Sequence, residues 1–121
     1  KRQFFWDAHS IRRHVPSIHK NPFPDLIIGD NDSKSCDTKF TKITENELMK
    51  SGLQVNYNHP FKGGYLTRSK GNPSQHIHAI QLEMCKDLYM NHNETKYEEK
   101  KAVKIKKILK NTFQHLIESL I

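Results

Sequence analysis

The chain has little cysteine and no long apolar run. Only Cys36 and Cys85 occur among its 121 residues, and neither has a nearby histidine and acid that would mark a catalytic thiol. No stretch approaches the roughly 20 apolar residues needed to cross a bilayer, which excludes a membrane-spanning role for this segment. No secretory leader pattern opens the chain. We therefore expect a reduced, cytoplasmic setting without a membrane partner.

The chain also lacks an initiating methionine. It starts at Lys1, and the apolar run from Phe4 to Trp6 begins almost at once, as though a core strand followed a missing predecessor. A chain this short has room for one small domain with a marginal core. The start looks like that of a fragment, although a processed or recombinant start would look the same.

The sequence is basic, with a formal net charge of +7. Clustered Lys and Arg are typical of proteins that bind nucleic acid or other anions. Here the lysines of the last thirty residues alternate with Glu94, Glu98, Glu99 and Glu118, which is typical of a solvated helix face. A basic anion-binding module is thus an alternative function, but a nucleic-acid partner is not expected.

Four segments have the pattern of β-strands, namely 3–9, 25–29, 53–57 and 77–84. Residues 38–51 suit a surface helix, with Thr44 and Glu47 as a possible capping box and Gly52 as its end. From about Glu94 onward, apolar residues recur at spacings of three and four, which predicts a long amphipathic helix. A helix of that length needs a sheet to cover. The predicted fold class is α/β, a mixed sheet flanked by helices.

The first candidate site follows the first strand, where Asp7, His9 and Ser10 lie together. Ligands of open α/β sheets bind at the carboxyl ends of strands. An imidazole there can ligate a metal while a carboxylate fixes its tautomer. A hydrogen-bonded structural histidine would give the same pattern.

The second candidate is Glu83, which stands among apolar residues in the last predicted strand and should point away from Leu82 and Met84. A carboxylate inside a sheet is costly unless it is paired. Such a group is a candidate general base for activating water. An edge strand with Glu83 facing solvent would be an equally good reading of the pattern alone.

The third candidate is the segment 61–68, in which Gly63 and Gly64 allow unusual backbone angles and Arg68 follows. The planar guanidinium of arginine matches a carboxylate in two-pronged fashion. Arg68 is therefore a candidate anion clamp, unless it is a surface arginine in a hairpin. His76 and His78 are two apart and are expected to share one strand face, where a small zinc site with His59 or Cys85 is one interpretation. The spacing matches no closed zinc signature, and two histidines on an exposed strand face are commoner than a metal site.

Four segments in order resemble one family. They are WDAHS at 6–10, PDLIIGDNDSKSC at 24–36, FKGGYLTR at 61–68 and HAIQLEMCKDLYM at 78–90. In this order and spacing they look like the second half of the N-formylglutamate amidohydrolases, over nearly all of the chain up to Asn91. The resemblance implies that residues 1–121 are the C-terminal portion of a single amidohydrolase domain whose N-terminal half is absent.

The resemblance implies a fold similar to that of the zinc-dependent carboxypeptidases. It implies hydrolysis of N-formyl-L-glutamate to formate and L-glutamate, in histidine degradation. By the same resemblance His9 is a ligand of a divalent metal, zinc in the first instance. Glu83 is the general base, and Arg68 holds a substrate carboxylate, with Arg12 and Arg13 as competitors for that role.

The chain departs from the family pattern in three respects. The Pro-His-Ser-Gly type segment and a downstream acidic position that supply further metal ligands are absent. Ser33 stands where glycine is common, and Asn91 with His92 replaces an acidic pair. These departures affect substrate preference more than reaction class, since related enzymes cleave other N-acyl amino acids. A degenerate, non-catalytic homologue is the further alternative.

Overall fold

The computed structural model describes residues 2–121. The elements, in chain order, are β1 (Gln3–Ile11), β2 (Leu26–Gly29), α1 (Thr38–Met49), β3 (Val55–Tyr57), α2 (Tyr65–Lys70), β4 (Ile77–Cys85) and α3 (Glu99–Leu120). Two short 3-10 helices, Pro73–Gln75 and Lys86–Leu88, flank β4. Within the described residues, no helix combines the length and the apolar character required to span a membrane.

The four strands form one mixed sheet in the order β1-β4-β2-β3. β4 runs parallel to β1 and antiparallel to β2, while β2 and β3 are parallel. The predicted fold class, a mixed α/β sheet with a long C-terminal helix, is confirmed. Because β1 and β4 are parallel, their carboxyl ends lie at the same edge of the sheet, where His9 is the register partner of Glu83.

β4 lies inside the sheet and is buried on both faces. Successive side chains of a strand point to opposite faces, so Ile80 and Leu82 join the main core while Gln81 and Glu83 lie on the other face. A strand covered on both sides has a nearly continuous apolar run, which explains the broken alternation of its sequence. Glu83 points away from Leu82, as predicted.

The two long helices cover the core face of the sheet. The buried residues of α3 are Ala102, Ile105, Thr112 and Leu116, and α3 packs along α1. The helix starts at Glu99 and not near Glu94, because Glu94 adopts a left-handed φ of 58°. The preceding residues form a turn closed by a bridge between Met90 and Tyr97.

The cap predicted for α1 is wrong. The helix is a single element whose N-cap is Asp37, and the Asp37 side chain accepts a hydrogen bond from the backbone N of Lys39. Thr44 lies in the interior of the helix, where its hydroxyl donates to the carbonyl of Phe40 at 2.9 Å. Gly52, with φ of 81°, follows the helix end as expected.

The predicted pairing of His76 and His78 on one strand face is wrong as well. His76 ends the 3-10 helix with a left-handed φ of 59° and precedes β4. His78 is buried, and its Nδ1 accepts a hydrogen bond from the backbone N of Asp37 at 3.1 Å. Burial lowers the pKa of His78. The two imidazoles therefore do not form a zinc site.

Candidate active site

His9 and Asp7 form a hydrogen-bonded pair near the carboxyl end of β1. The two side chains lie on the same face of the strand, and His9 Nε2 is 3.0 Å from Asp7 Oδ1. The His9 side chain is 46% exposed, whereas that of Asp7 is 13% exposed. An engaged Nε2 leaves Nδ1 as the nitrogen available to a ligand.

Glu83 lies beside this pair on the neighbouring strand. Register partners share one face of a sheet, so the Glu83 carboxylate lies on the same face as His9 and Asp7. The residue is 9% exposed. Burial raises the pKa of Glu83 above its ordinary value, the nearby His9 lowers it, and the charge of Asp7 raises it further. The site thus combines an accessible imidazole with a carboxylate of increased basicity.

Helix α2 packs over the same face of β1 and β4. Its N-cap, Gly64, donates from its backbone N to Gln81 Oε1 at 2.7 Å. The buried Thr67 hydroxyl donates to Asp7 Oδ2 at 3.3 Å. The 61–68 segment is not a hairpin but a loop that leads into α2 at Tyr65. The two bonds tie it to the strands that carry His9 and Glu83.

The glycines of this segment allow a close backbone approach. A Cβ on Gly29 would lie 2.7 Å from the backbone N of Gly63, and Gly63 has φ of 119°. Both positions therefore need glycine, one for space and one for its left-handed backbone. The close contact brings the end of β2 against the start of α2, beside Gln81.

Arg68 lies on the exposed side of α2. Its Nε donates to the carbonyl of Gly64 at 3.3 Å, and no carboxylate within residues 2–121 forms a salt bridge with it. The guanidinium is therefore accessible to an anion from solution.

Arg12 and Arg13 form ion pairs within the protein. Arg13 donates to both oxygens of Asp87, at 3.0 and 2.8 Å, and to Asp25 at 2.7 Å. Hydrogen bonding to Asp87 raises the pKa of Arg13. The exposed Arg12 pairs with Glu94 at 3.3 Å. Both guanidinium groups already have carboxylate partners, which favours Arg68 as the arginine that meets a substrate.

A buried carboxylate that the sequence analysis did not single out lies after β2. Asp30 is fully buried and accepts hydrogen bonds from Thr41, Tyr57 and Asn58, each at 2.8 Å, and from the backbone N of Ser33 at 2.9 Å. An acidic residue directly after a short apolar strand was the available signal. Four donors to one side chain make Asp30 the centre of the loop that follows β2.

Ser33 in this loop has φ of 70°. This left-handed conformation disfavours residues with a Cβ and suits glycine. The backbone therefore explains why glycine is common at this position of the resembled family. The serine hydroxyl lies 3.1 Å from Tyr57 Oη.

Both cysteines are free and buried. Burial raises the pKa of Cys36 to about 12 and that of Cys85 to about 12. A thiol with so high a pKa is a poor nucleophile and a poor metal ligand at neutral pH. This agrees with the expectation that neither cysteine acts as a nucleophile.

Histidine and carboxylate donors come together at one place on this sheet face, at His9, Asp7 and Glu83. Across residues 2–121, no group of three or more His, Cys, Asp or Glu side chains has the arrangement needed to hold a metal ion. Catalytic zinc is normally bound by three protein ligands. His9, Asp7 and Glu83 alone do not make such a site.

The fold and the site together define an α/β protein with a histidine and a buried glutamate side by side on one face of a mixed sheet. Comparison with known proteins gives the family. The family model of N-formylglutamate amidohydrolase matches residues 1–90. The chain belongs to the N-formylglutamate amidohydrolase family.

Individual relatives agree with this assignment. The chain is 37% identical, over 93% of its length, to an N-formylglutamate deformylase of Pseudomonas putida. It is 42% identical, over 71% of its length, to the protein of that name in Pseudomonas aeruginosa. The crystal structure of N-formylglutamate amidohydrolase from Ralstonia eutropha JMP134 superposes with a TM-score of 0.80 over 95% of the chain at 24% identity, which shows a common fold.

The chain spans less than half of each of these proteins. It covers 43% and 33% of the two Pseudomonas relatives and 44% of the Ralstonia chain.

Proposed function

We propose that the chain supplies part of the active site of a metal-dependent amide hydrolase that cleaves N-formyl-L-glutamate to formate and L-glutamate. The observation that carries the proposal is the placement of Glu83 beside His9 on adjacent parallel strands. The names of the two Pseudomonas relatives support the choice of substrate. The expected setting is histidine degradation in the cytoplasm.

Glu83 acts as the general base in this proposal. A base works best when its pKa is raised towards the operating pH, and burial raises the pKa of Glu83. Glu83 takes a proton from the attacking water as the water adds to the formyl carbon. It then returns this proton to the nitrogen of the leaving L-glutamate, so the carboxylate is regenerated and no covalent intermediate with the protein is needed.

His9 is the residue that would hold a divalent metal, for which zinc is the first choice. Its Nδ1 is available because Nε2 is engaged by Asp7, and a carboxylate that fixes a ligating imidazole is common at metal sites. When bound, such a metal lowers the pKa of water and polarises a carbonyl. The remaining ligands are expected from the part of the family fold that this chain does not span.

Arg68 is proposed to bind a carboxylate of the substrate. It is exposed and lies on the helix that covers the site face. Arg12 and Arg13 are weaker candidates because their guanidinium groups are engaged by Glu94, Asp25 and Asp87. The proposed function requires no nucleic-acid partner.

We further propose that residues 1–121 form one portion of a single amidohydrolase domain. The four strands form one sheet, and α1 and α3 pack with it around one main core. The Pseudomonas putida relative is more than twice as long as the matched segment. In this view the described sheet carries Glu83 as the base and His9 as one metal ligand. The other portion of the domain supplies the remaining metal ligands.

The proposal is tested with a chimera in which this chain replaces the matched segment of the Pseudomonas putida relative. Formate release is measured with added zinc from N-formyl-L-glutamate, and amine release from N-acetyl-L-glutamate and N-acetyl-L-aspartate. The proposal expects formate release from the first compound at the highest kcat/KM. A preference for either N-acetyl compound would show that the substrate is a different N-acyl amino acid. An inactive but folded chimera would favour a degenerate, non-catalytic homologue.

A further inference from the structure

Gln81 is a buried polar residue at the centre of the site face. It is 5% exposed, and its neighbours across the sheet are Asp7 on β1 and Gly29 on β2. Glu83 is two residues further along the same strand and therefore on the same face. The main core lies on the opposite face of the sheet, and the smaller apolar cluster of Phe23, Ile27 and Cys85 does not include Gln81.

The orientation of the Gln81 amide is fixed by one hydrogen bond. Oε1 accepts from the backbone N of Gly64 at 2.7 Å, so the opposite end of the amide is the nitrogen, a donor of two hydrogen bonds. Among residues 2–121, this nitrogen has no hydrogen-bond acceptor. Every fully buried polar side-chain atom of these residues has a hydrogen-bond partner, so the Gln81 nitrogen is not fully buried. The Gln81 nitrogen therefore reaches the accessible surface of the site.

We propose that Gln81 binds the substrate through this nitrogen, donating a hydrogen bond to a carbonyl or carboxylate oxygen of the N-acyl amino acid. The inference rests on the proposed function and adds a residue to it. Residues two apart on a strand are separated by roughly 6.5 Å, a distance that one N-acyl amino acid can bridge. Gln81 and Glu83 can thus contact the same substrate molecule.

The amide contributes selectivity as well as affinity. The Gln81 nitrogen is open to solvent in the free protein, and a ligand that covers it without offering an oxygen removes its water and leaves the donor unpaired. Such a ligand is rejected more strongly than a lost contact alone would explain. The Gln81 nitrogen brings no charge next to Asp7 and Glu83. It therefore orients an oxygen without altering the charge balance around the proposed base.

Two substitutions separate substrate binding from the structural bond to Gly64. Gln81→Glu keeps an oxygen to accept from Gly64 and removes the donor. Gln81→Met removes both at similar volume. Gln114→Glu on the exposed side of α3 gives the same change in net charge away from the site and serves as the control.

The experiment is a titration of the chimera, before zinc is added, with N-formyl-L-glutamate, monitored by the ¹H-¹⁵N resonances of the side-chain amides. The Gln81 NH₂ resonance is expected to shift while that of Gln114 does not. Both Gln81 variants should weaken binding by about tenfold or more, with the Gln114 variant unchanged. Gln81→Glu keeps the bond to Gly64 but buries a carboxyl beside Asp7, so its unfolding temperature should fall, and circular dichroism checks that each variant remains folded.

The outcomes distinguish the two proposals. If the ligand shifts the backbone amides of Gly29 and Gly64 but leaves the Gln81 NH₂ unmoved, or if Gln81→Glu binds equally well, Gln81 is only structural and the proposed function stands. If N-formyl-L-glutamate shifts no resonance of the site face, the substrate assignment fails and the role of Gln81 fails with it.

Discussion

His9 and Glu83 are register partners on the adjacent parallel strands β1 and β4, and their side chains lie on the same face of the sheet. The imidazole is largely accessible, whereas the carboxylate is buried. This pairing places a potential metal ligand next to a potential base. It also makes the site dependent on a contact between segments far apart in the chain.

Glu83 should reduce the stability of the protein at neutral pH. Its pKa is raised in the folded state, so the folded protein holds its proton more tightly than the unfolded chain does. Stability therefore falls as the pH rises from the unfolded pKa through the folded pKa. Glu83→Gln should have a higher urea midpoint than the parent at pH 7.

The difference between the two proteins should shrink as the pH falls below the ordinary glutamate pKa of 4.5, where the parent carboxyl is neutral in both states. Urea unfolding at pH 4 and pH 7 measures this. An equal or lower midpoint for Glu83→Gln at pH 7 would show that neighbouring groups stabilise the carboxylate at least as much as its burial destabilises it.

Arg13 is expected to act in stability and not in substrate binding. Arg13→Ala removes hydrogen bonds to Asp25, Asp87 and the carbonyl of Phe23 and leaves two partly buried carboxylates unpaired. We expect a loss of about 2 to 3 kcal/mol in the free energy of unfolding. The exposed Arg12 is the matched control, for which Arg12→Ala should cost less than about 1 kcal/mol. Equal losses for both would contradict the structural role of Arg13.

Arg68 should behave in the opposite way. The side chain is exposed and forms no salt bridge with a carboxylate of residues 2–121. Arg68→Ala should therefore leave the unfolding temperature nearly unchanged. In the chimera it should raise KM for N-formyl-L-glutamate roughly tenfold or more, since a charge-assisted hydrogen bond to a carboxylate is lost. Lys70→Ala, on the same helix, removes one charge and should have little effect on KM. If Arg68→Ala and Lys70→Ala raise KM to a similar extent, Arg68 acts through its charge and not through a specific hydrogen bond to the substrate.

Asp30 should be among the polar residues most costly to replace. Asp30 Oδ2 accepts from the hydroxyls of Thr41 and Tyr57, and Oδ1 accepts from the side-chain amide of Asn58 and the backbone N of Ser33. Asp30→Asn therefore puts an amide donor against two other donors, whichever oxygen it replaces. We expect a loss of about 2 to 3 kcal/mol in the free energy of unfolding. Tyr57→Phe removes a single donor and should cost about 1 kcal/mol. Chemical denaturation measures both, and a neutral Asp30→Asn would show that the loop does not depend on the carboxylate.

Periodicity predicted the larger elements well. The apolar run at Phe4 to Trp6 and the spacing along Ile105 to Leu116 reflect side chains that pack on one core, so β1 and α3 were recognisable from sequence. Helix α2 was not predicted, because Tyr65 and Leu66 are exposed and leave no apolar period. It is held by bonds from Gly64 and Thr67 to other elements, which no local pattern encodes.

The site was predictable only in part. The polar residues after the apolar run of β1 and the isolated Glu83 marked two candidates, but nothing local indicates that β1 and β4 pair in parallel. The ion pairs of Arg13 with Asp25 and Asp87 depend on the same long-range packing. The free amide donor of Gln81 follows from the hydrogen bond that its oxygen accepts from Gly64, a long-range contact that the sequence does not predict.

The role of Glu83 in hydrolysis is tested most directly by formate release from N-formyl-L-glutamate in the zinc-loaded chimera, comparing the parent with Glu83→Gln. The glutamine keeps the size of the side chain and removes its basicity. The account predicts that kcat falls by about 10² to 10⁴ while the protein remains folded. Full activity of the folded Glu83→Gln variant would contradict the assignment of Glu83 as the general base.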